Sequence, residues 1–187
     1  MPSGLSVEVR EKLEPIRLVV LDVDGVLTDG SLFYSGDGEE HKRFSVRDGL
    51  AIRLLLRAGI QVAVISGRPS VAVLARCSEL GVRSELIVTG SSDKPAELDR
   101  MEELLQLEDS NIAAMGDDLP DLPLLARAGF AACPTDAAPE VIAACDLVCG
   151  AEGGRGAVRE LAEVVLKAQG RWTELVSGWV TPGIQRG

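Results

Sequence analysis

Apolar residues follow two patterns along this chain. Short apolar runs predict strands buried on both faces of a sheet, and longer segments with apolar residues every three or four positions predict helices. The predicted strands are 16–21, 61–65, 86–88, 111–115, 130–132 and 147–148, and the predicted helices are 48–58, 70–80, 95–107, 119–128, 139–144 and 156–168. This alternation predicts an α/β fold with right-handed crossovers and a doubly wound, Rossmann-like parallel sheet.

Residues 31–45 interrupt the alternation. Their composition is typical of a β-hairpin around a Gly36-Asp37-Gly38 turn. We therefore expect a hairpin insertion after the first strand. The only histidine, His41, has charged neighbours that predict a solvated strand and a surface position for it; these neighbours are Glu39, Glu40, Lys42 and Arg43.

Length and composition restrict the class of protein. At 187 residues the chain suits a single domain, with a core over about 16–168 and a polar tail over 170–187 that contains Trp172 and Trp179. A net charge of −10 argues against nucleic-acid binding, because no basic patch would attract a phosphate backbone. No apolar run approaches membrane-spanning length, and the N-terminus lacks the apolar core of a signal peptide.

The cysteines and the histidine exclude several kinds of site. The four cysteines form no C-x-x-C pair, so we expect buried thiols and a cytoplasmic protein. A single histidine excludes a Ser-His triad and a His-rich zinc site.

Two carboxylates, Asp22 and Asp24, directly follow the first predicted strand. Ligands of open parallel sheets bind beyond the carboxyl ends of the strands. Two acids at such a position are costly unless a cation or a proton-transfer task balances them. A solvated Asp-Gly turn is the simpler alternative. An EF-hand calcium loop is disfavoured, because it needs a third ligand before its glycine and a later glutamate.

Three further polar clusters follow in order: Ser66-Gly67 after the second long strand, Lys94-Pro95 at a helix start, and Asp117-Asp118 after a third strand. In this order and spacing, the four clusters resemble the motifs of the haloacid dehalogenase superfamily of phosphohydrolases. The resemblance covers residues 16–165.

The resemblance implies roles for the acidic residues. Asp22 is the expected nucleophile, forming an aspartyl-phosphate, and Asp24 is the expected general acid and base. Magnesium (Mg2+) is the expected cofactor, held by the carboxylates of Asp22 and Asp117 and by the backbone carbonyl of Asp24. Asp118 is expected to reach the metal through water or to contact substrate, and a helix N-cap is its alternative role.

The same resemblance assigns the other two clusters to the phosphoryl group. Ser66 and Gly67 are expected to bind its oxygens through a hydroxyl and through unhindered backbone N–H groups. Lys94 is expected to offset the negative charge of the nucleophile and of the phosphoryl group.

No cap domain fits in this sequence. Only 43 residues separate Asp22 from Ser66, and the hairpin and one helix occupy nearly all of them. Capless members of the superfamily close their active site with a neighbouring subunit. We therefore expect self-association through the hairpin, as a homotetramer.

A second group of residues is similar to one branch of the superfamily, the capless 3-deoxy-D-manno-octulosonate 8-phosphate phosphatases of bacterial lipopolysaccharide synthesis. It comprises Phe44–Gly49, Arg53, Gly67-Arg68, Arg76-Cys77 and Gly153–Glu160. The similarity implies that the substrate is a phosphorylated sugar acid. The implied substrate contacts are Asp24, Ser45, Val46, Arg47, Asp48, Gly49, Arg53, Gly67, Arg68, Arg76, Lys94 and Asp118. Each arginine among them has an alternative as an ordinary surface charge.

Two other functions remain open. The first is a phosphatase for another sugar-acid phosphate, such as a nonulosonate 9-phosphate. The nine-carbon enzymes carry Gly-Glu-Lys-Thr where this chain has Gly67-Arg68-Pro69-Ser70, which favours the eight-carbon sugar. The second is a non-catalytic oligomerisation module like those fused to sialic-acid cytidylyltransferases. Such modules often lack the nucleophile, whereas this chain retains Asp22.

Overall fold

The computed structural model describes residues 6–179. Strands and helices alternate along them, after one short N-terminal helix and one hairpin. In chain order the elements are α1 (Val7–Leu13), β1 (Leu18–Leu21), β2 (Phe33–Tyr34), β3 (Glu40–His41), α2 (Val46–Arg57), β4 (Gln61–Ser66), α3 (Val71–Leu80), β5 (Ile87–Thr89), α4 (Lys94–Leu105), β6 (Ile112–Met115), α5 (Leu122–Arg127), β7 (Phe130–Cys133), α6 (Pro139–Ala144), β8 (Leu147–Val148), α7 (Ala157–Ala168) and α8 (Trp172–Ser177).

Six strands form one parallel sheet in the order β5-β4-β1-β6-β7-β8, and β2 and β3 form a separate antiparallel pair. Strand β1 is central: Val20 lies opposite Ala63 of β4 on one side and Ala114 of β6 on the other. The strand order reverses at β1, so the crevice beyond β1, β4 and β6 is where such a sheet binds its ligand. The predicted α/β fold is confirmed.

Burial explains why β1 and β6 are so apolar. Every residue of both strands is fully buried, which requires cover on both faces of the sheet.

The buried carboxylate of Asp48 links α2 to the helix packed against it, α7. It accepts hydrogen bonds from the backbone N–H groups of Gly156 (3.1 Å) and Arg159 (2.9 Å) at the start of α7.

Several element boundaries differ from the prediction, and three of these differences have a physical reason in the structure. Residues 119–128 form a 3₁₀ turn and then α5, because the prolines at 120 and 123 lack the N–H that one continuous helix needs. Helix α2 begins at Val46, two residues early, because the Ser45 hydroxyl accepts hydrogen bonds from its first turn.

The third difference lies in the expected polar tail, where residues 172–177 form α8. The Trp172 ring lies under Arg159 and Lys167, at 5.0 and 5.2 Å from the ring centre. Residues 1–5 and 180–187 of the predicted outer segments lie outside the described residues.

The expected absence of a cap domain agrees with the described residues. Between β1 and β4 the chain contains only the hairpin and α2, and between β4 and β6 it contains α3, β5, α4 and short 3₁₀ turns. Within the 6–179 range, none of the helices combines the length and the hydrophobicity needed to span a membrane.

Candidate active site

The predicted catalytic residues meet at one edge of the sheet. Asp22 directly follows β1, Ser66 ends β4, Asp117 follows β6 after one residue, and Lys94 begins α4. The backbone N–H of Asp22 donates to the carbonyl of Met115 (3.0 Å), which fixes the end of β1 beside the end of β6. Parallel strands thus bring together residues that are far apart in sequence.

Lys94 lies between two carboxylates. Its Nζ atom is 2.5 Å from Asp22 Oδ1 and 2.5 Å from Asp121 Oδ1, and all three side chains are buried. Asp121 also accepts a hydrogen bond from the backbone N–H of Asp117 (3.0 Å), so it fixes the loop that carries the second acidic pair.

Asp121 is a site residue that the sequence pattern does not indicate. It lies inside the predicted helix 119–128, whereas in the structure it ends a 3₁₀ turn and its side chain is buried. The sequence signal for such a turn is Pro120 directly before Asp121. Asp121 itself lies four residues after Asp117, the acid that follows β6.

Asp22, Asp117 and Asp121 form a candidate cation site. Each offers a carboxylate oxygen, and the three atoms lie within 4.8 Å of one another. One ammonium cannot balance three carboxylates. A set of ligands made only of oxygen suits a hard divalent cation such as magnesium, so these residues fit the expected cofactor. The predicted contribution of the Asp24 backbone carbonyl stays a prediction.

Burial and the crowding of these carboxylates shift their pKa values. Burial and the charge of Asp121 raise the pKa of Asp22 to about 7, although Lys94 opposes the shift. Burial and the charge of Asp22 raise the pKa of Asp117 to about 8. Burial lowers the pKa of Lys94, but Asp22 and Asp121 outweigh it and raise that pKa overall. A cation bound here would offset both the cost of burial and the repulsion, which together favour the protonated forms of the two acids.

Gly25 makes room for Asp117. A Cβ atom on Gly25 would lie 2.0 Å from Asp117 Oδ2, and its φ of +96° is one that other residues rarely adopt. Glycine is therefore needed at the turn that follows the first acidic pair. This contact couples that turn directly to the second acidic pair.

Asp24 faces the hairpin instead of the carboxylate cluster. Its Oδ1 atom accepts a hydrogen bond from Lys42, and its Oδ2 atom lies 3.9 Å from Arg68 Nε. Arg68 also donates to Glu40 (2.9 Å) and to the Tyr34 hydroxyl (2.8 Å) of the hairpin. Arg68 thus lies close to Asp24, and its contact with substrate stays a prediction.

The prediction of a solvated strand is wrong for Lys42. His41 is exposed, as expected, but the Lys42 side chain is only 1% exposed. Its charge is matched by Asp24, which follows β1, and by Glu40 at 3.2 Å. Tertiary contacts of this kind leave no periodic signal in the sequence.

The motif after β4 forms a tight turn. The Ser66 hydroxyl accepts from the backbone N–H of Arg68 (3.2 Å) and lies 3.3 Å from its carbonyl, while Gly67 is exposed beside it. Asp118 accepts a hydrogen bond from the backbone N–H of Leu119 (2.8 Å), which is the capping role considered for it. Direct contact of Ser66, Gly67 and Asp118 with substrate stays a prediction.

The other predicted substrate residues lie on α2 and α3. Arg53 and Arg76 both bond to Glu79, at 3.2 and 2.9 Å, and the Arg76 guanidinium lies against Gly49. Ser45 and Asp48 cap helices, as described above. Val46 and Arg47 are exposed on the first turn of α2. Their substrate contacts stay predictions.

A parallel sheet with an aspartate pair, a hydroxyl, a lysine and a second acidic pair at its carboxyl edge defines a phosphohydrolase of the haloacid dehalogenase type. The chain matches the haloacid dehalogenase-like hydrolase family over residues 84–161. It is 42% identical over 170 residues to the 3-deoxy-D-manno-octulosonate 8-phosphate phosphatase of Salmonella typhi, covering 91% of this chain and 89% of that protein. The same enzyme of Haemophilus influenzae is 42% identical over 163 residues, covering 87% and 89%.

Solved structures agree with this similarity. The Moraxella catarrhalis 3-deoxy-D-manno-octulosonate 8-phosphate phosphatase, in complex with a magnesium ion, a phosphate ion and a KDO molecule, superposes with a TM-score of 0.89 at 38% identity, covering 92% of this chain and 98% of that one. The cobalt-bound Haemophilus influenzae enzyme gives a TM-score of 0.81 at 43% identity, covering 85% and 92%. The chain belongs to the 3-deoxy-D-manno-octulosonate 8-phosphate phosphatase family of the haloacid dehalogenase-like hydrolases. The family predicted from the sequence is confirmed.

From the carboxylate cluster we predict that magnesium raises the free energy of unfolding more at high pH than at low pH. The folded-state pKa values of Asp22 and Asp117, about 7 and 8, exceed the ordinary value of 3.8. Without metal, the folded protein therefore binds more protons than the unfolded chain, and these groups cost stability as the pH rises between about 4 and 8. Magnesium competes with those protons for the carboxylates. A free magnesium concentration of about 100 times the Kd raises the free energy of unfolding by about 2.7 kcal/mol.

Thermal unfolding with and without magnesium, at about pH 5.5 and pH 8, measures this effect. We expect a larger rise in Tm at the higher pH, and almost none at either pH in Asp117→Asn. An equal rise at both pH values, or one that persists in Asp117→Asn, would place the cation elsewhere.

Proposed function

We propose that this protein is a magnesium-dependent phosphatase that hydrolyses 3-deoxy-D-manno-octulosonate 8-phosphate to the free sugar acid and phosphate, in lipopolysaccharide synthesis. The observation that carries the proposal is the buried Lys94 held between Asp22 and Asp121 at the end of β1. That arrangement orients a carboxylate nucleophile and places a positive charge beside it. The relatives named above support the substrate and the metal.

In the first step, a carboxylate oxygen of Asp22 attacks phosphorus, and the bond from phosphorus to the sugar oxygen breaks. Asp24 gives its proton to the departing sugar oxygen, so the products are the neutral sugar alcohol and an aspartyl-phosphate on Asp22. Lys94 holds one oxygen of Asp22 at 2.5 Å, which fixes the orientation of the attacking group.

In the second step, a water attacks the phosphorus of the aspartyl-phosphate and gives a proton to Asp24. The bond between phosphorus and the Asp22 oxygen breaks, which releases phosphate and restores both carboxyl groups to their starting states. Ser66 and Gly67, at the end of neighbouring β4, are the groups that we assign to the phosphoryl oxygens.

Asp22, Asp117 and Asp121 would hold the magnesium ion. When bound, magnesium offsets the charge of the carboxylates and of the phosphoryl group, which otherwise repel each other. Without the metal, burial and the charge of Asp121 raise the pKa of Asp22 to about 7, so a bound cation would favour the ionised form of the proposed nucleophile.

The intact site disfavours a purely structural role. A module that serves only in oligomerisation has no need for a buried lysine between two buried aspartates, because such groups are expensive to desolvate. A phosphatase for another sugar-acid phosphate remains the second candidate, since the same catalytic groups would serve it equally well.

Phosphate release from a panel of sugar-acid phosphates tests the proposed function. We expect the eight-carbon 8-phosphate to give the highest kcat/KM, and chelation of magnesium to abolish turnover. Asp22→Asn, which removes the attacking charge at constant size, should lower kcat by about 10³-fold or more while the protein stays folded. A higher kcat/KM for a nine-carbon 9-phosphate would change the assigned substrate, and full activity in Asp22→Asn would refute the covalent mechanism.

We further propose that the protein is a cytoplasmic homotetramer assembled through the β2–β3 hairpin. Leu32, Phe33 and Tyr34 are adjacent and 45%, 48% and 59% exposed, and a two-stranded hairpin gains stability by pairing with others. Residues Ser45–Arg47 and Gly154-Arg155 line one shallow cleft at the start of α2. We propose that this cleft forms part of the wall of the active site of a neighbouring subunit. From there, residues at the start of α2 could contact the substrate bound to that neighbour.

Light scattering at micromolar concentration tests the assembly. We expect a mass about four times 19.8 kDa for the protein and a smaller mass for Phe33→Glu, because the charge opposes burial of the hairpin. Val7→Glu is the matched control, since Val7 is also exposed (73%) but lies on α1. A monomeric, fully active protein would refute the proposal.

A further inference from the structure

Lys42 is the only lysine of the hairpin, and its side chain is withdrawn from solvent. Its neighbour on β3, His41, is exposed, as are the apolar residues of β2 on the opposite strand. Burial of an ammonium is costly unless charged partners surround it. The partners here are Asp24 and Glu40, and Asp24 belongs to the catalytic motif.

The contact holds one specific atom of the proposed proton donor. Lys42 Nζ donates to Asp24 Oδ1. Asp24 Oδ2 accepts no hydrogen bond from residues in the described part of the chain, and the Nε atom of Arg68 lies 3.9 Å from it. The carboxyl group is therefore anchored through one oxygen, while the other is left for a different partner.

We propose that Lys42 is a positioning residue, which anchors the Asp24 carboxyl through Oδ1 and thereby presents Oδ2 to the sugar oxygen that leaves. The inference rests on the proposed function, because it assigns Lys42 a task in the same reaction. A carboxyl group on a rotatable side chain transfers a proton efficiently only when it is held in the reactive geometry. Glu40, 3.2 Å from Lys42 Nζ, fixes the lysine in turn.

The alternative is that Lys42 merely attaches the hairpin to the body of the protein. Two other contacts already do so, because Arg68 bonds to Glu40 and to the Tyr34 hydroxyl. An attachment role would change stability and would slow all substrates equally. A positioning role slows most the substrates that need the proton.

Substrates with different leaving groups distinguish the attachment role of Lys42 from the positioning role. An alkyl phosphate, such as the sugar-acid phosphate, releases a strongly basic alkoxide that needs a proton, whereas p-nitrophenyl phosphate releases a stable phenolate that does not. We expect Lys42→Met to lower kcat for the sugar-acid phosphate at least about tenfold more than kcat for p-nitrophenyl phosphate, with little change in KM. Lys42→Arg, which keeps the charge, should recover part of the loss.

The matched control is Lys12→Met, which breaks another lysine–aspartate pair (Lys12 Nζ to Asp146 Oδ1, 2.6 Å) remote from the catalytic residues. It should leave both rates unchanged. Asp24→Asn is measured in parallel and should show the same selective loss. If Lys42→Met does not fold, Lys42→Gln gives the same comparison.

Two results would overturn the inference. Equal losses on both substrates in the Lys42 variant, with a selective loss in Asp24→Asn, refute the role of Lys42 and leave the proposed function standing. If Asp24→Asn also loses kcat equally on the sugar-acid phosphate and on p-nitrophenyl phosphate, Asp24 is not the acid. The proposed role of Lys42 is then refuted as well.

Discussion

The repulsion among three carboxylates around one ammonium is the constraint on which this structure depends. Asp22, Asp117 and Asp121 present oxygens within 4.8 Å of one another, and Lys94 offsets only part of their charge. Such a cluster is unfavourable in the protein alone and becomes favourable with a divalent cation. The same arrangement that costs the metal-free protein stability therefore prepares it to bind a metal and a phosphate ester.

The rest of the fold supplies the rigidity that keeps this cluster together. The hydrogen bond from the Asp22 backbone to Met115 joins two strand ends, and the one from Asp117 to Asp121 holds the acidic loop. Gly25 leaves space for Asp117, where any side chain would collide with it. Because β1 and β6 are fully buried, these groups cannot separate without disrupting the centre of the sheet. The stability of the buried sheet thus offsets the electrostatic cost of the carboxylate cluster.

The sequence was sufficient for the fold and for the residues at strand ends. Buried parallel strands are recognisable as apolar runs, and the polar residue that follows each run must face the crevice. The sequence was not sufficient for residues whose position depends on contacts between distant parts of the chain. Asp121 was missed because proline turned an apparent helix into a 3₁₀ turn, and Lys42 because its partner Asp24 lies 18 residues away in another element. Arg53 and Arg76 matched a motif, but within one chain they meet at Glu79.

Anomalous diffraction from crystals grown with manganese would locate a cation bound to the carboxylate cluster, because manganese prefers the same octahedral oxygen ligands as magnesium. We expect one anomalous peak among the carboxylates of Asp22, Asp117 and Asp121, about 2 Å from the ligand oxygens. We expect no peak at that place in crystals of Asp117→Asn. Manganese bound only at other positions, with this cluster empty and phosphatase activity intact, would show that the three carboxylates are not the metal site.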